Sequence, residues 1–287
     1  MKKNVILYLL LIVTSLPLAA QQRIVTAGSS SSEIVCALGY CDNIVATDRT
    51  SIYPEHLQGL PSIGYRNSIG AEGIISQNPH LVIMEMEYVK DALVEQLLST
   101  GIPTEVVAQD RTWESTRDRI KVIAEALDEE GAGQELIAKL EQELAEVKQL
   151  IESNDSRPKV LGVYARGAGS MQVGGSNSPF SIIELAGAQN AVPEIEGFKP
   201  LYTESLIKAN PDYILFFDSG LKSLGGIDGV LDIPGVSETT AGKQRQIISM
   251  NGVKLTNWGP RLAEAARELF YLTHPEDHAQ RTDRPEK

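Results

Sequence analysis

Short apolar runs alternate with amphipathic stretches along the first hundred residues. RIVTAG (23–28), NIVATD (43–48), LVIME (81–85) and TEVVAQ (104–109) have the length and β-branched content of buried strands. Between them, EIVCALG (33–39) and DALVEQLLSTG (91–101) carry apolar residues at helical spacing, the second closed by Gly101. Strands alternating with helices predict a parallel sheet in an α/β lobe. From Trp113 to Glu152 the pattern changes. Ile120, Ile123, Leu127, Leu136, Leu140, Leu144, Val147 and Ile151 recur at helical spacing without a proline. Gly131 and Gly133 interrupt that run, so two helices are expected, the second of about five turns. After it PKVLGVYA (158–165) opens a second strand–helix series. Two Gly-rich segments, RGAGSMQVGGSNSP and SGLKSLGGIDGVLDIPG, read there as loops at a cleft rim, and NWGPRLAEAARELFYLTHP as a C-terminal helix.

The two halves resemble each other. EGIISQNPHLVI (72–83) matches ESLIKANPDYIL (204–215), pairing Glu72 with Glu204, Asn78-Pro79 with Asn210-Pro211, and His80 with Asp212. Each copy reads as a helix, an Asn-Pro turn and a strand, because the residue before proline is pushed out of helical geometry. A half-chain repeat is too long for a solenoid unit. It predicts two related α/β lobes with parallel-type sheets, and the cleft between them as the ligand site. The expected division is a signal peptide over 1–20, an N-terminal lobe over 21–112, a helical connector over 113–157 and a C-terminal lobe over 158–287.

Composition narrows the function. The chain has 287 residues, 42% hydrophobic and 22% charged, which is ample for two folded lobes. A net charge of −12 with no Lys/Arg cluster excludes nucleic-acid binding. Lys2 and Lys3, an apolar run, Pro17 and Ala19-Ala20 form the pattern of a cleavable secretory signal. The mature protein, from Gln21, is therefore expected to be exported and soluble; a monomer is also expected. Cys36 and Cys41 lack the second pair that a four-ligand structural zinc site needs. They read as two free or buried thiols, with a local disulfide as the alternative.

Most chemical signals are weak. Neither Gly-rich segment has the spacing of a phosphate loop. Ser29–Ser32 shows no nucleophile elbow and reads as the cap of a helix starting near Glu33. The four histidines, His56, His80, His274 and His278, show no metal-ligand spacing, and the last two fall in a polar tail. An exported hydrolase using the serines and an adhesive module are the rival classes, and no catalytic set supports the first. The loop GYRNSI is stronger. Tyr65 follows Gly64 and precedes Arg66 and Asn67 at the end of a strand-like segment. A phenolate is a hard anionic ligand suited to ferric iron, and a guanidinium beside it favours the ionised phenol.

The runs RIVTAG, IGYRNSIGAEGI, GFKPLYTESL, GLKSLGGIDGVL and WGPRLAEAA together resemble the periplasmic haem-binding proteins of haem ABC importers, class III substrate-binding proteins. The resemblance spans nearly all of the chain after residue 20. It implies that Tyr65 is the axial ligand of ferric haem, carried as cargo. It also implies that Glu72 and Glu204 dock onto arginines of an inner-membrane ABC permease. Family members often carry an apolar residue after the tyrosine and a basic one next, where this chain has Arg66 and Asn67. Arg166, Lys199 and Lys222 are the candidate propionate partners, by their positions in predicted cleft loops. Met84, Met86, Met171 and Tyr164 are the conceivable second iron ligands. The same architecture also accommodates cobalamin or a ferric siderophore.

Overall fold

A computed structural model describes residues 22–276, apart from 87, 88 and 109. The expected signal peptide and His278 lie outside the described residues. The first lobe runs β1 (Ile24–Ala27), α1 (Ser29–Ala37), β2 (Ile44–Thr47), α2 (Ala71–Ile75), β3 (Leu81–Glu85), α3 (Asp91–Ser99) and β4 (Thr104–Val107). Its strands form one parallel sheet in the order β2-β1-β3-β4. Alternate residues pack on opposite faces. Ile24, Leu81, Ile83 and Val107 meet α1 and the connector, while Val25, Val82 and Met84 meet the layer of α2 and α3. Covering both faces is what makes these strands apolar throughout.

Two long helices follow, α4 (Trp113–Ala126) and α5 (Glu130–Glu152). Thr112 caps α4, its Oγ1 accepting the Ser115 N–H at 3.1 Å. The break between the helices falls at Asp128, in the left-handed region at φ 56, and not at the glycines. Gly131 and Gly133 lie inside α5. A Cβ on Gly133 would sit 2.5 Å from the Ala124 Cβ, so the glycine permits close packing of α5 on α4. With 23 residues α5 makes more than the five turns expected.

The second lobe contains β5 (Lys159–Ala165), β6 (Met171–Gly174), α6 (Ile182–Leu185), β7 (Gln189–Asn190), β8 (Phe198–Pro200), α7 (Thr203–Ala209) and β9 (Tyr213–Phe217). It continues with α8 (Asp218–Ser223), α9 (Gly226–Leu231), α10 (Thr240–Gln244), β10 (Ile247–Met250), α11 (Gly252–Thr256) and α12 (Leu262–Thr273). β10, β9 and β5 are parallel, but β6 pairs antiparallel to β5 and β8 antiparallel to β6, so β6 runs against the rest and this sheet is mixed. The first Gly-rich segment thus contains a strand. The second folds into α8 and α9 instead of a loop.

The repeat is visible in three dimensions. Asn78 and Asn210 both adopt left-handed backbone, at φ 49 and 39, directly before a proline; Asn210 is the C-cap of α7, and Asn78 closes the turn that follows α2. His80 N donates to the Arg23 carbonyl and Asp212 N to the Lys159 carbonyl, each at 2.8 Å. The same two side chains accept back, His80 Nδ1 from Arg23 N at 3.1 Å and Asp212 Oδ2 from Lys159 N at 2.8 Å.

Three expectations are corrected. Ser29–Ser32 are the buried first turn of α1 and not its cap, which is Gly28. Cys36 and Cys41 form a disulfide, because the chain reverses after α1 and returns the 3-10 turn Cys41–Asn43 to its end. His274 is 1% exposed, its ring stacked on Phe270 at 4.4 Å between centroids. Among the described residues no helix is long and apolar enough to cross a membrane.

Candidate functional site

Tyr65 is presented by a loop fastened to the end of β2. Ile63 N donates to the Thr47 carbonyl at 3.0 Å, and Arg49 N to the Gly64 carbonyl at 3.0 Å. Tyr65 N then donates to Ser68 Oγ at 3.1 Å, and that hydroxyl donates to the Tyr65 carbonyl at 2.6 Å. Tyr65 is 40% exposed. Arg66 sits in the left-handed region at φ 45, a conformation costly for a residue with a Cβ. Its guanidinium carbon lies 5.7 Å from the Tyr65 ring centroid.

Tyr65 and Arg66 face the second lobe across a cavity of about 280 Å³. Ser29 and Arg111 complete the wall on one side; Tyr164, Gln172, Pro179, Phe198, Phe217 and Thr256 form the other. The far wall is aromatic. Tyr164 meets Phe198 at 5.9 Å and Phe217 at 5.7 Å, and Phe180 stacks behind Phe217 at 5.2 Å. Such spacings are those of attractive ring pairs. Phe180 fits there because Gly162 and Gly174 leave room: a Cβ on either would lie 2.2 or 2.4 Å from the ring. Arg166 stacks on Tyr164, 5.4 Å from its centroid.

The lobes are tied together beneath the cavity. Ser29 Oγ donates to Asn257 Oδ1 at 2.7 Å. Trp258, at φ 48, offers its carbonyl to Thr116 Oγ1 and Arg119 Nη1, both at 2.9 Å. Arg261 holds Glu33 through two bonds, Nε to Oε2 at 2.8 Å and Nη2 to Oε1 at 2.5 Å. Burial raises the Glu33 pKa, although Arg261 pulls it down. Glu85, at the end of β3, is fully buried, and burial lifts it to about 7 against the opposing pull of Arg119. Its Oε1 accepts the Ser31 N–H at 2.7 Å, and a Cβ on Gly28 would fall 2.3 Å from its carboxyl carbon. The serines of α1 are thus engaged in structural bonds, with Ser30 Oγ accepting from Arg119 at 2.8 Å and Ser32 Oγ donating to Ser51 at 2.8 Å.

The structure brings Tyr65, Arg66 and Tyr164 to one cleft; Arg166 stacks on Tyr164 but is not among the residues lining the cavity. Lys199 lies elsewhere, lining a separate apolar cavity of about 320 Å³ beside α7. Lys222 is exposed on α8 and is not among the residues lining the cleft cavity. The Asn67 side chain is outside the described set. Met84 is buried in the first lobe's core and Met171 packs on the second's, while Met86 is 59% exposed and Tyr164 lines the cavity. Glu72 and Glu204 are both exposed, each in the first turn of its helix. Sequence reasoning missed Arg111, Gln172, Phe198 and Phe217. The aromatic content of GFKP and YILFF was the one available signal for the last two.

Comparisons with known proteins find relatives of the same overall fold. The solved periplasmic heme-binding protein RhuT from Roseiflexus sp. RS-1 is 36% identical, with a TM-score of 0.85 over 89% of this chain and 99% of that one. The periplasmic heme-binding protein HutB of Vibrio cholerae is 33% identical, with a TM-score of 0.81 over 89% of this chain and 100% of that one. Among curated relatives, the ABC transporter substrate-binding lipoprotein YvrC of Bacillus subtilis, itself uncharacterized, is 26% identical over 89% of this chain and 81% of its own length. The Fe(3+)-citrate-binding protein YfmC of Bacillus subtilis is 30% identical over 69% of this chain and 63% of its own. The vitamin B12-binding protein of Vibrio parahaemolyticus is 24% identical over 75% of this chain and 78% of its own. These are binding proteins rather than enzymes. The periplasmic binding protein family model matches residues 24–253, and the chain belongs to that family.

Proposed function

We propose that the protein captures ferric haem in the cleft, with the Tyr65 phenolate on iron, and delivers it to an ABC permease of the inner membrane. One observation carries this reading: an exposed tyrosine with a guanidinium beside it faces a wall of aromatic rings. A phenolate suits ferric iron. The rings of Tyr164, Phe198 and Phe217 offer flat apolar surface to a macrocycle. Arg66 and Arg111, both lining the cavity, supply charge for its carboxylates, and Arg166 stands behind Tyr164. The cavity, about 280 Å³, is just below the usual size of ligand pockets, so a bound macrocycle would keep part of its surface in solvent. Tyr164, across the cavity from Tyr65, would be the candidate for a second iron ligand.

Glu72 and Glu204, related by the repeat, serve as the two docking points for permease arginines. Exposed ion pairs of this kind weaken as salt rises. The protein works as a monomer in the periplasm, exported by the signal peptide, and turns over no substrate.

A second reading rests on the two curated relatives whose names record ferric citrate and vitamin B12. In it the same cleft holds cobalamin or a ferric siderophore. A siderophore brings its own iron ligands, so Tyr65 would be dispensable. Competition separates the readings: hemin binding monitored at the Soret band, challenged with excess cobalamin or ferric citrate. Under the haem reading neither competitor displaces hemin; under the rival one of them does.

A further inference from the structure

Cys36, at the end of α1, and Cys41, in the turn that follows, meet a third soft donor that the sequence places far from both. His56, on the 3-10 turn Glu55–Gly59, brings its Nε2 to 3.3 Å from Cys41 Sγ. The ligand atoms of Cys36, Cys41 and His56 all lie within 4.8 Å of one another. His56 is exposed and both cysteines are partly so. Cys36 also lines a cavity of about 700 Å³ between α1, α5 and the Pro260–Arg261 turn. The cleft that faces Tyr65 uses none of the three.

We propose that the dithiol form of this corner is a Zn(II) site. The sulfurs of Cys36 and Cys41 and Nε2 of His56 are the protein ligands, and water is the fourth. Two thiolates, one imidazole and an open position form a recognised tetrahedral set for zinc. Zinc–sulfur bonds of about 2.3 Å and zinc–nitrogen bonds of about 2.0 Å put the donors roughly 3.5–3.8 Å apart. Small movements of the Cys41 turn reach that spacing once the sulfurs are no longer bonded to each other.

The oxidised and metal-bound states exclude each other. An external dithiol opens the bond: its thiolate attacks one cysteine sulfur and the other departs as thiolate. The reductant's second thiol then closes its own disulfide, so two electrons pass to the cysteines. Zn(II) takes both cysteines as thiolates and the imidazole as neutral donor, releasing the thiol protons to solvent. The core that results carries no net charge. The corner therefore senses thiol status and binds metal only in the reduced state.

The test uses the intact protein, reduced with a phosphine, desalted without oxygen and titrated with Co(II), then with Zn(II). The expected result is a thiolate-to-cobalt charge-transfer band saturating at about one equivalent and bleached by Zn(II). The air-oxidised protein shows no band, Cys41→Ser abolishes it, and His56→Ala weakens binding at least about tenfold. Far-UV circular dichroism precedes each titration. If reduction unfolds the chain, recovery of the folded signal at one equivalent of Zn(II) is the same result read differently. A reduced wild type with neither band nor recovery overturns the proposal, as does a His56→Ala protein that binds like wild type.

Discussion

The Arg66 guanidinium carbon lies 5.7 Å from the centroid of the Tyr65 ring, one residue away along the chain. The left-handed backbone at Arg66, φ 45, accompanies that placement. A cation so close to the proposed iron ligand has a measurable consequence. Arg66→Ala is expected to weaken hemin binding roughly two- to fivefold, the strength of a partly exposed cation–ring contact, and to shift the phenolate-to-iron band. Arg66→Lys restores part of both. Absorption titrations of the three proteins check this, and an unchanged band in Arg66→Ala contradicts it.

Glu72 and Glu204 should separate delivery from capture. Both are exposed in the first turns of α2 and α7, away from the residues that line the cleft cavity. Glu72→Ala with Glu204→Ala is expected to leave hemin affinity within about twofold, since exposed substitutions away from special contacts change little. Stimulation of the permease's ATPase by the loaded protein should be lost, and in wild type that stimulation should fall as salt rises. Full stimulation by the double variant would remove the docking role.

The Glu33–Arg261 pair ties α1 to the turn before α12. Glu33 is 3% exposed and takes two bonds from the guanidinium. Arg261→Ala leaves that carboxylate buried without its partner, which costs about 3–5 kcal/mol. Urea unfolding measures the loss. A cost below about 1 kcal/mol would mean that the pair does not hold the lobes together.

Stability should also fall between mildly acidic and mildly basic pH. Burial lifts Glu85 from an ordinary 4.5 to about 7. The folded state therefore holds this proton more tightly than the unfolded chain. The resulting stabilisation is complete below pH 4.5 and is lost as pH rises through 7. At about 1.4 kcal/mol per pKa unit, the full swing is about 3 kcal/mol. Glu85→Gln, which keeps an acceptor for the Ser31 N–H, should flatten the melting-temperature profile between pH 5 and pH 8. An unaltered profile would assign the dependence to other groups.

Local chemistry explains which features were legible in the sequence. The paired Asn-Pro turns were readable because proline and left-handed asparagine act within a few residues, and His80 and Asp212 fill matching positions in the two lobes. Strand cores such as LVIME carried their burial in their composition. Tyr65 stood out through its motif. What escaped depends on long-range packing. Arg111 enters the cavity only because the chain before α4 runs along the cleft. Gly162 and Gly174 read as flexible residues, yet in the fold they seat Phe180 beneath Phe217. His274, in a polar stretch, is buried by stacking on Phe270. His56 meets the cysteines through a turn that no local pattern announces.

The most direct test of the central claim is a visible-absorption titration of residues 21–287 with hemin, run beside Tyr65→Phe. The account predicts a saturable Soret change with a phenolate-to-iron charge-transfer band in the wild type and loss of that band in the variant. A wild type without saturable change, or a Tyr65→Phe protein that keeps the band, would contradict it.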